Sequence, residues 1–551
     1  MEKEIEIELN EKFFITFIAL TILLAVVIND TLVILKYPIV FGDEGFHSAL
    51  ARWIARNLEY PVYYDFIGNN VEKNGFYRPP LWNLLGSSFF YLFGETGYRL
   101  LLSLVVFTYG LGVFVFVSKL WNERAALIAM TLAITIPSFV TYSVLFYVDA
   151  LFTMNMTFFV LFYLLYEKES NKKYLILSSI FGVLTILTKT PGLAVYLFTA
   201  FVLLKKVIEK KNFIKPLKEL SPYILILAFS LVFFARNFYL YHSACILHTP
   251  IDKFFGENLC SIHEYKNKLK FAGRTEKIGT EADIYTIGLF NYLKFAYGNL
   301  LITILPLLGA LVYLKESNVH FEKYLLLFLV TFVFLWIMSP GIGYRAEDTA
   351  RYTLGWSGIF MITAVMWIEK IISAIEERIN KKNYVYIVFV IFVVLSSFIA
   401  FNPYAFFPRL GSLKLVKSYS QRFFEACDWV KNNLPENTTL MSLWVYRVTY
   451  NCDRRASGGP VDLRLSTDVN TSIAVAKIAG IDYIFLEKFS IDPENKHYSE
   501  KYDLDWVEYL ESHPEVFKPV YENGISMSEC MNYLKYGYPC DGIKIYQIIK
   551  E

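Results

Sequence analysis

Phe41-Gly42-Asp43-Glu44-Gly45-Phe46-His47 follows the apolar run 13–35 and decides how the chain is read. The run is long enough to cross a bilayer, which takes about 20 apolar residues. It is too long for the apolar part of a signal peptide, and Lys36-Tyr37-Pro38 offers no small-residue cleavage site, so it is expected to stay as a membrane helix. Two adjacent carboxylates and a histidine then stand where the chain leaves the bilayer. Some thirty residues on comes Tyr77-Arg78-Pro79-Pro80-Leu81. The two stretches read as two sides of one reaction centre.

The composition agrees with a polytopic membrane protein. Of 551 residues 55% are hydrophobic, 18% aromatic and only 19% charged, and mean hydropathy is +0.39. Apolar runs recur near 13–35, 97–118, 125–146, 150–166, 173–188, 191–204, 221–240, 294–314, 324–339, 352–372 and 384–401. The expected fold class is an α-helical membrane domain of about 11 to 13 spans over residues 1–401, with a small α/β domain at 402–551. Residues 81–93 are apolar but too few for a span, which suits a re-entrant or interfacial helix. A net charge of +2, with no basic tail, zinc-finger spacing or phosphate loop, gives nucleic acid no foothold.

Charge sets the expected orientation. The connections at 119–124, 167–173, 205–218, 315–323 and 370–382 hold seventeen Lys or Arg; the opposite ones, at 147–150, 188–191 and 339–351, hold three. Lys and Arg favour the cytoplasmic side. The amino terminus is then inside, and the first loop, the 241–293 loop and everything after about residue 402 are outside. All six cysteines fall on that outer side, where disulfides form. Six allow fifteen pairings; pairing neighbours gives Cys245–Cys260, Cys427–Cys452 and Cys530–Cys540. In the tail, 440–446, 482–486 and 543–549 read as strands, and 421–432 and 504–512 as helices.

Ionisable groups at the edge of a bilayer are functional candidates. Asp43, Glu44, His47, Arg78, Asp149, Lys189, Arg236, Arg345 and Arg351 all fall on the predicted outer side. Together they make a cleft acidic on one side and cationic on the other. Cations at the headgroup plane suit a lipid phosphate, which arginine grips with parallel hydrogen bonds. A carboxylate can take the proton of an attacking hydroxyl or amine. Transfer of a group from a lipid-linked phosphate needs both, and no strong general acid, because phosphate leaves as a stabilised anion.

In this order and on this side, Asp-Glu, Arg-Pro-Pro-Leu, the Asp of Tyr147-Val148-Asp149-Ala150, Thr188-Lys189-Thr190-Pro191-Gly192 and Arg351-Tyr352 resemble the GT-C membrane glycosyltransferases. The pattern is most similar to the dolichyl-phosphate-mannose protein mannosyltransferases and the aminoarabinose (lipid A) transferases, over about residues 13–400. The tail is similar to the outer soluble domain many of them carry. The resemblance implies that Asp43 is the catalytic base, with Glu44 beside it. Asp149 is a second acidic position that orients the acceptor or supports the base. Arg78 stands where many relatives have Lys; Lys189 and Arg351 match basic positions near the donor phosphate. It also implies a polyprenyl- or dolichyl-phosphate sugar donor, a protein, lipid or glycan acceptor, and inversion at the sugar carbon.

No cofactor is expected. Asp43, Glu44 and His47 share one side of a helix and could hold a divalent metal, but a fourth ligand is missing. Tyr63, Tyr64 and Tyr77 could stack on a sugar. The rival reading is a transporter or flippase of lipid-linked saccharides, which would bind near the midplane between repeated halves. No internal repeat is evident, and the charges gather at one face.

Overall fold

The computed structural model describes residues 2–36, 39, 42–64, 66–67, 76, 78–241, 346–379, 386–391, 413–458, 468–492, 502–536 and 540–550. The chain divides into two compact units. One comprises Met1–Lys36, Tyr77–Leu85 and Glu95–Asn402; the other Tyr37–Phe76, Gly86–Gly94 and Pro403–Glu551.

The first unit is helical. Its helix α1 (Glu2–Lys36) buries Ile15, Ala19, Leu23, Val26, Asp30 and Ile34 along one face. The opposite face, with Phe13, Phe17, Leu20, Leu24, Ile28, Leu32 and Leu35, is apolar and exposed. A helix apolar on both faces fits lipid on one side and protein on the other. Helix α2 belongs to the second unit and covers Gly42–Asn57. Helix α3 (Leu81–Leu120) is broken at Gly94, whose φ of 67° suits a residue without a Cβ. The break separates the short apolar run 81–93 from the span expected at 97–118.

The run expected as one span at 125–146 folds instead as α4 (Glu123–Thr135) and α5 (Pro137–Ser143). Pro137 explains the break: it pushes Ile136 out of the helical region, to φ −60° and ψ 130°. Then come α6 (Asp149–Glu169), α7 (Lys172–Thr188), a 3-10 turn (Thr190–Leu193) and α8 (Ala194–Lys210). The run 221–240 is bent by 42° between α9 (Ile214–Ala228) and α10 (Leu231–Tyr241). Helix α11 spans Ala346–Ile379. Helix α6 runs through the middle: its residues Asp149 to Tyr166 are all buried. Gly355 and Gly358 of α11 let it lie close, since a Cβ there would strike Phe152 and Thr157 of α6.

Among the described residues five helices are long and apolar enough to cross a membrane, or six if the bent pair counts as one span. The runs at 294–314 and 324–339, and all of 384–401 but the helical residues 386–391, lie outside the described residues.

The second unit contains α2 and an α/β domain. After α12 (Leu413–Asn433) come β1 (Thr439–Met441), α13 (Val445–Asn451), β2 (Arg455–Ser457), α14 (Val469–Ala479) and β3 (Tyr483–Glu487). They are followed by β4 (Ile491–Asp492), β5 (Tyr502–Asp503), α15 (Leu504–Ser512), β6 (Phe517–Gly524), α16 (Met527–Lys535) and β7 (Gly542–Ile548). The sheet order is β2-β1-β3-β7-β6, parallel across β2-β1-β3 and antiparallel across β3-β7-β6. Successive strand residues point to opposite faces. Met441, Ile484, Leu486, Tyr546 and Ile548 pack under α14, α15 and α16, while Leu440, Phe485, Ile543 and Ile545 pack against α12 and α13. The strand expected at 440–446 is shorter: Val445 and Tyr446 already belong to α13. Cys427–Cys452 and Cys530–Cys540 are bonded as neighbour pairing predicts; Cys245 and Cys260 lie outside the described residues.

Candidate active site

Asp43 and Glu44 lie in the first turn of α2, where the helix dipole favours carboxylates. Glu44 and His47 are buried and Asp43 is half-buried. The His47 ring lies 5.0 Å from that of Phe46. Phe46 in turn packs on Phe66 at 5.5 Å, Tyr64 at 6.2 Å and Phe76 at 6.2 Å. Tyr64 thus sits in an aromatic cluster under α2. Tyr77 lies outside the described residues.

Helix α2 lies on α13. A Cβ on Gly45 would fall 2.7 Å from the backbone nitrogen of Arg447 and 2.8 Å from the carbonyl carbon of Tyr446. Only glycine permits so close an approach to another backbone. Phe46 meets Tyr446 edge to face at 5.0 Å. Farther along, Arg52 donates to the Thr449 carbonyl at 3.0 Å and pairs with Asp453 at 3.1 Å. Arg56 grips the same carboxylate with two bonds, of 3.0 and 3.1 Å. Burial pushes the Asp453 carboxyl up. The Arg56 hydrogen bond and the charges of Arg52, Arg56 and Arg454 outweigh it and hold the group below the usual carboxylate range.

In the helical unit, α6 starts at Asp149, and Lys189 stands extended between α7 and the 3-10 turn. Pro191 within that turn ends the helical run. The Lys189 ammonium donates to Asp149 Oδ1 at 2.6 Å. The side chain of Asp149 is 0% exposed and that of Lys189 11%. Lower on the same two helices Asn155 donates to Thr188 Oγ1 at 3.2 Å. The resemblance implied that Asp149 orients the acceptor or supports the base and that Lys189 lies near the phosphate; the structure joins the two in one buried ion pair.

Arg78 is half-buried just before α3, and Arg351 lies in α11. Arg236 donates to Asn237 Oδ1 at 3.0 Å, and Arg345 lies outside the described residues. Asp43, Glu44 and His47 belong to one compact unit; Arg78, Asp149, Lys189 and Arg351 belong to the other. Among the described residues no three His, Cys, Asp or Glu side chains gather as a metal site would need. Two ionic features escaped the sequence reading: the Asp453 pairs and a buried pair between Arg447 and Glu487. The second had a visible signal, a carboxylate closing the apolar strand Ile484-Phe485-Leu486-Glu487.

Residues 77–239 match the family described as dolichyl-phosphate-mannose-protein mannosyltransferase. No curated protein sequence matches the chain. The fold is similar to that of the oligosaccharyltransferase of Archaeoglobus fulgidus in complex with zinc and sulfate. The TM-score is 0.59 at 14% identity, with 95% of this chain and 88% of that one covered. It is also similar to AglB from the same organism with an inhibitory peptide and a dolichol-phosphate. There the TM-score is 0.58 at 12% identity, covering 96% and 88%. ArnT from Cupriavidus metallidurans bound to undecaprenyl phosphate gives a TM-score of 0.56 at 12% identity, covering 97% of both chains. A mannosyltransferase-type match over residues 77–239, helices long and apolar enough to cross a membrane and a fold similar to those of AglB and ArnT make the chain a multi-pass membrane protein with the fold of these transferases.

Proposed function

We propose that the protein is a membrane glycosyltransferase that moves a sugar from a polyprenyl- or dolichyl-phosphate donor to a protein, lipid or glycan acceptor on the outer face. The acceptor's hydroxyl or amine attacks the sugar's anomeric carbon. Its proton passes to Asp43 as the new bond forms. The bond from that carbon to the phosphate oxygen breaks, and the electron pair leaves with the phosphate. Attack from the side opposite the phosphate inverts the carbon. Glu44 supports the base and Asp149 orients the acceptor. Arg78, Lys189 and Arg351 take the charge that develops on the phosphate, the kind of fixed electrostatic support worth about 10²–10³ in rate per donor.

The observation that carries this reading is the buried Asp149–Lys189 pair. Both residues, with Arg78, fall inside the matched stretch 77–239. Burying a carboxylate and an ammonium together is costly for a helix bundle, and such groups in membrane proteins mark working sites. The reading also takes the chain to cross the membrane about 11 to 13 times, with the amino terminus inside and residues 402–551 outside. A saccharide transporter is not favoured, because the similar structures are of transferases.

The test is mass spectrometry of surface proteins and lipids from cells with and without the gene. A hexose or pentose missing from one class of molecule is expected. Identical glycan profiles would overturn the proposal.

A further inference from the structure

One face of helix α2 bears on the carboxy-terminal domain. Gly45, Ala49, Arg52 and Arg56 follow at spacings of four, three and four, which lines them along one side of a helix. Gly45 bears on the backbone of Tyr446 and Arg447, Ala49 is buried, and Arg52 and Arg56 reach Asp453. Asp43 falls two residues before Gly45, on the far side of the helix from that stripe, and stays half-buried.

What the stripe rests on is itself anchored. Helix α13 is tied to α12 by the Cys427–Cys452 disulfide. Arg447 forms a buried ion pair with Glu487 at the end of β3, and its guanidinium lies 4.9 Å from the Phe423 ring and 4.8 Å from that of Trp444. Arg454 caps α12, donating to the Leu434 carbonyl at 2.7 Å. Between these anchors Asp453 adopts φ 51°, a left-handed conformation rare for a residue with a side chain and tolerated best by Asn, Asp and Gly. That turn brings its carboxylate to both arginines. Asn451 adds a bond from its side chain to the Ile39 carbonyl at 2.8 Å, just ahead of α2.

We infer that Asp453 is a positioning residue: through Arg52 and Arg56 it clamps the back of α2 to the carboxy-terminal domain and so fixes where Asp43 stands. The part concerning Asp43 rests on the proposed role of that residue as base. The clamp itself does not. The carboxy-terminal domain is then a mount for the reaction centre. Rates fall steeply when a reacting group is misplaced by about 1 Å.

Hydrogen exchange on the purified full chain tests the clamp without any substrate. In Asp453→Asn the amides of residues 42–57 should exchange about tenfold faster, while those of 421–433 keep the wild-type rate, because only the local opening of α2 becomes easier. Asp453→Glu should restore most of the protection. Lys550→Met, which removes a half-buried pair with Asp482, should leave α2 unchanged. If Asp453→Asn loosens the whole domain, Arg56→Gln is the second variant: it removes one arm and leaves Asp453 paired with Arg52. Unchanged exchange over 42–57 in that variant, or in Asp453→Asn, overturns the inference.

Product formation tests the consequence, measured as the surface glycan restored to cells lacking the gene. Asp453→Asn should lower it about tenfold, and adding it to Asp43→Asn should lower the residue no further, since its effect passes through Asp43. Multiplying losses would refute action through Asp43. Full activity of Asp43→Asn alone would instead refute the choice of base, and the exchange result would still decide the clamp.

Discussion

Replacing Lys189 by Met tests the buried pair most sharply. The substitution removes the ammonium 2.6 Å from a carboxylate that is 0% exposed. Methionine fills a similar volume, so little of the effect comes from a cavity. What remains is a buried carboxylate that has lost its ammonium partner. Breaking such a pair from one side costs about 3–5 kcal/mol, whereas replacing both partners by neutral groups is often nearly neutral. Lys189→Met should therefore destabilise strongly, and Lys189→Met/Asp149→Asn should recover most of the loss. A membrane chain of this size is best followed by its inactivation rate. At a fixed temperature in detergent the single variant should unfold more than about tenfold faster than wild type, since 1.4 kcal/mol is a factor of ten. The double variant should fall within about threefold of wild type. Two results would refute the reasoning. One is a single variant as stable as wild type, which would mean the pair is not formed. The other is a double variant no better than the single, which would mean Lys189 acts apart from Asp149.

Two further outcomes follow from the other unit. Gly45→Ala places a Cβ 2.7 Å from a backbone nitrogen, about 0.7 Å inside ordinary contact, so α2 must move. Overpacking of this kind costs about 1–3 kcal/mol, and a shift of that size beside the proposed base Asp43 should lower the transfer rate about tenfold or more; a wild-type rate in a destabilised protein would separate α2 from the chemistry. Acid should also loosen the clamp. Asp453 is held below its usual range, so its contribution is complete above the unfolded value of about 3.9 and fades as pH falls through the lower folded value. Stability measured against pH should drop less steeply below about pH 4 in Asp453→Asn than in wild type, and parallel curves would contradict the assignment.

Much of the architecture was legible from residue periodicity and composition. The apolar runs located α1, the two parts of α3, α6 and α11. The break at Gly94 was foreshadowed by a run too short to span. Confinement of the cysteines to one predicted side anticipated Cys427–Cys452 and Cys530–Cys540. Where the reading failed, local chemistry had overruled hydropathy. Pro137 divides an apolar run that hydropathy alone treats as continuous. Val445 and Tyr446 have strand-forming side chains, yet they start α13, which packs against α2.

The candidate residues were legible as types but not as partners. Asp149 and Lys189 stand forty positions apart, and nothing in the spacing says that one ends up on the other. Asp453 was invisible for the same reason: its partners, Arg52 and Arg56, lie 397 and more residues away. Their i, i+4 spacing on α2 marked a common face, but an exposed pair of arginines is as common on a solvated helix. Gly45 carried no signal at all until the backbone of α13 was seen against it.

The most direct test of the account is product formation by Asp43→Asn in cells lacking the wild-type gene, read by mass spectrometry of surface proteins and lipids. The substitution keeps the shape of the side chain and removes its ability to take a proton. The account predicts normal amounts of folded protein in the membrane and loss of the transferred sugar by a factor of about 10² or more. Wild-type levels of that sugar with the variant as the sole copy would contradict it.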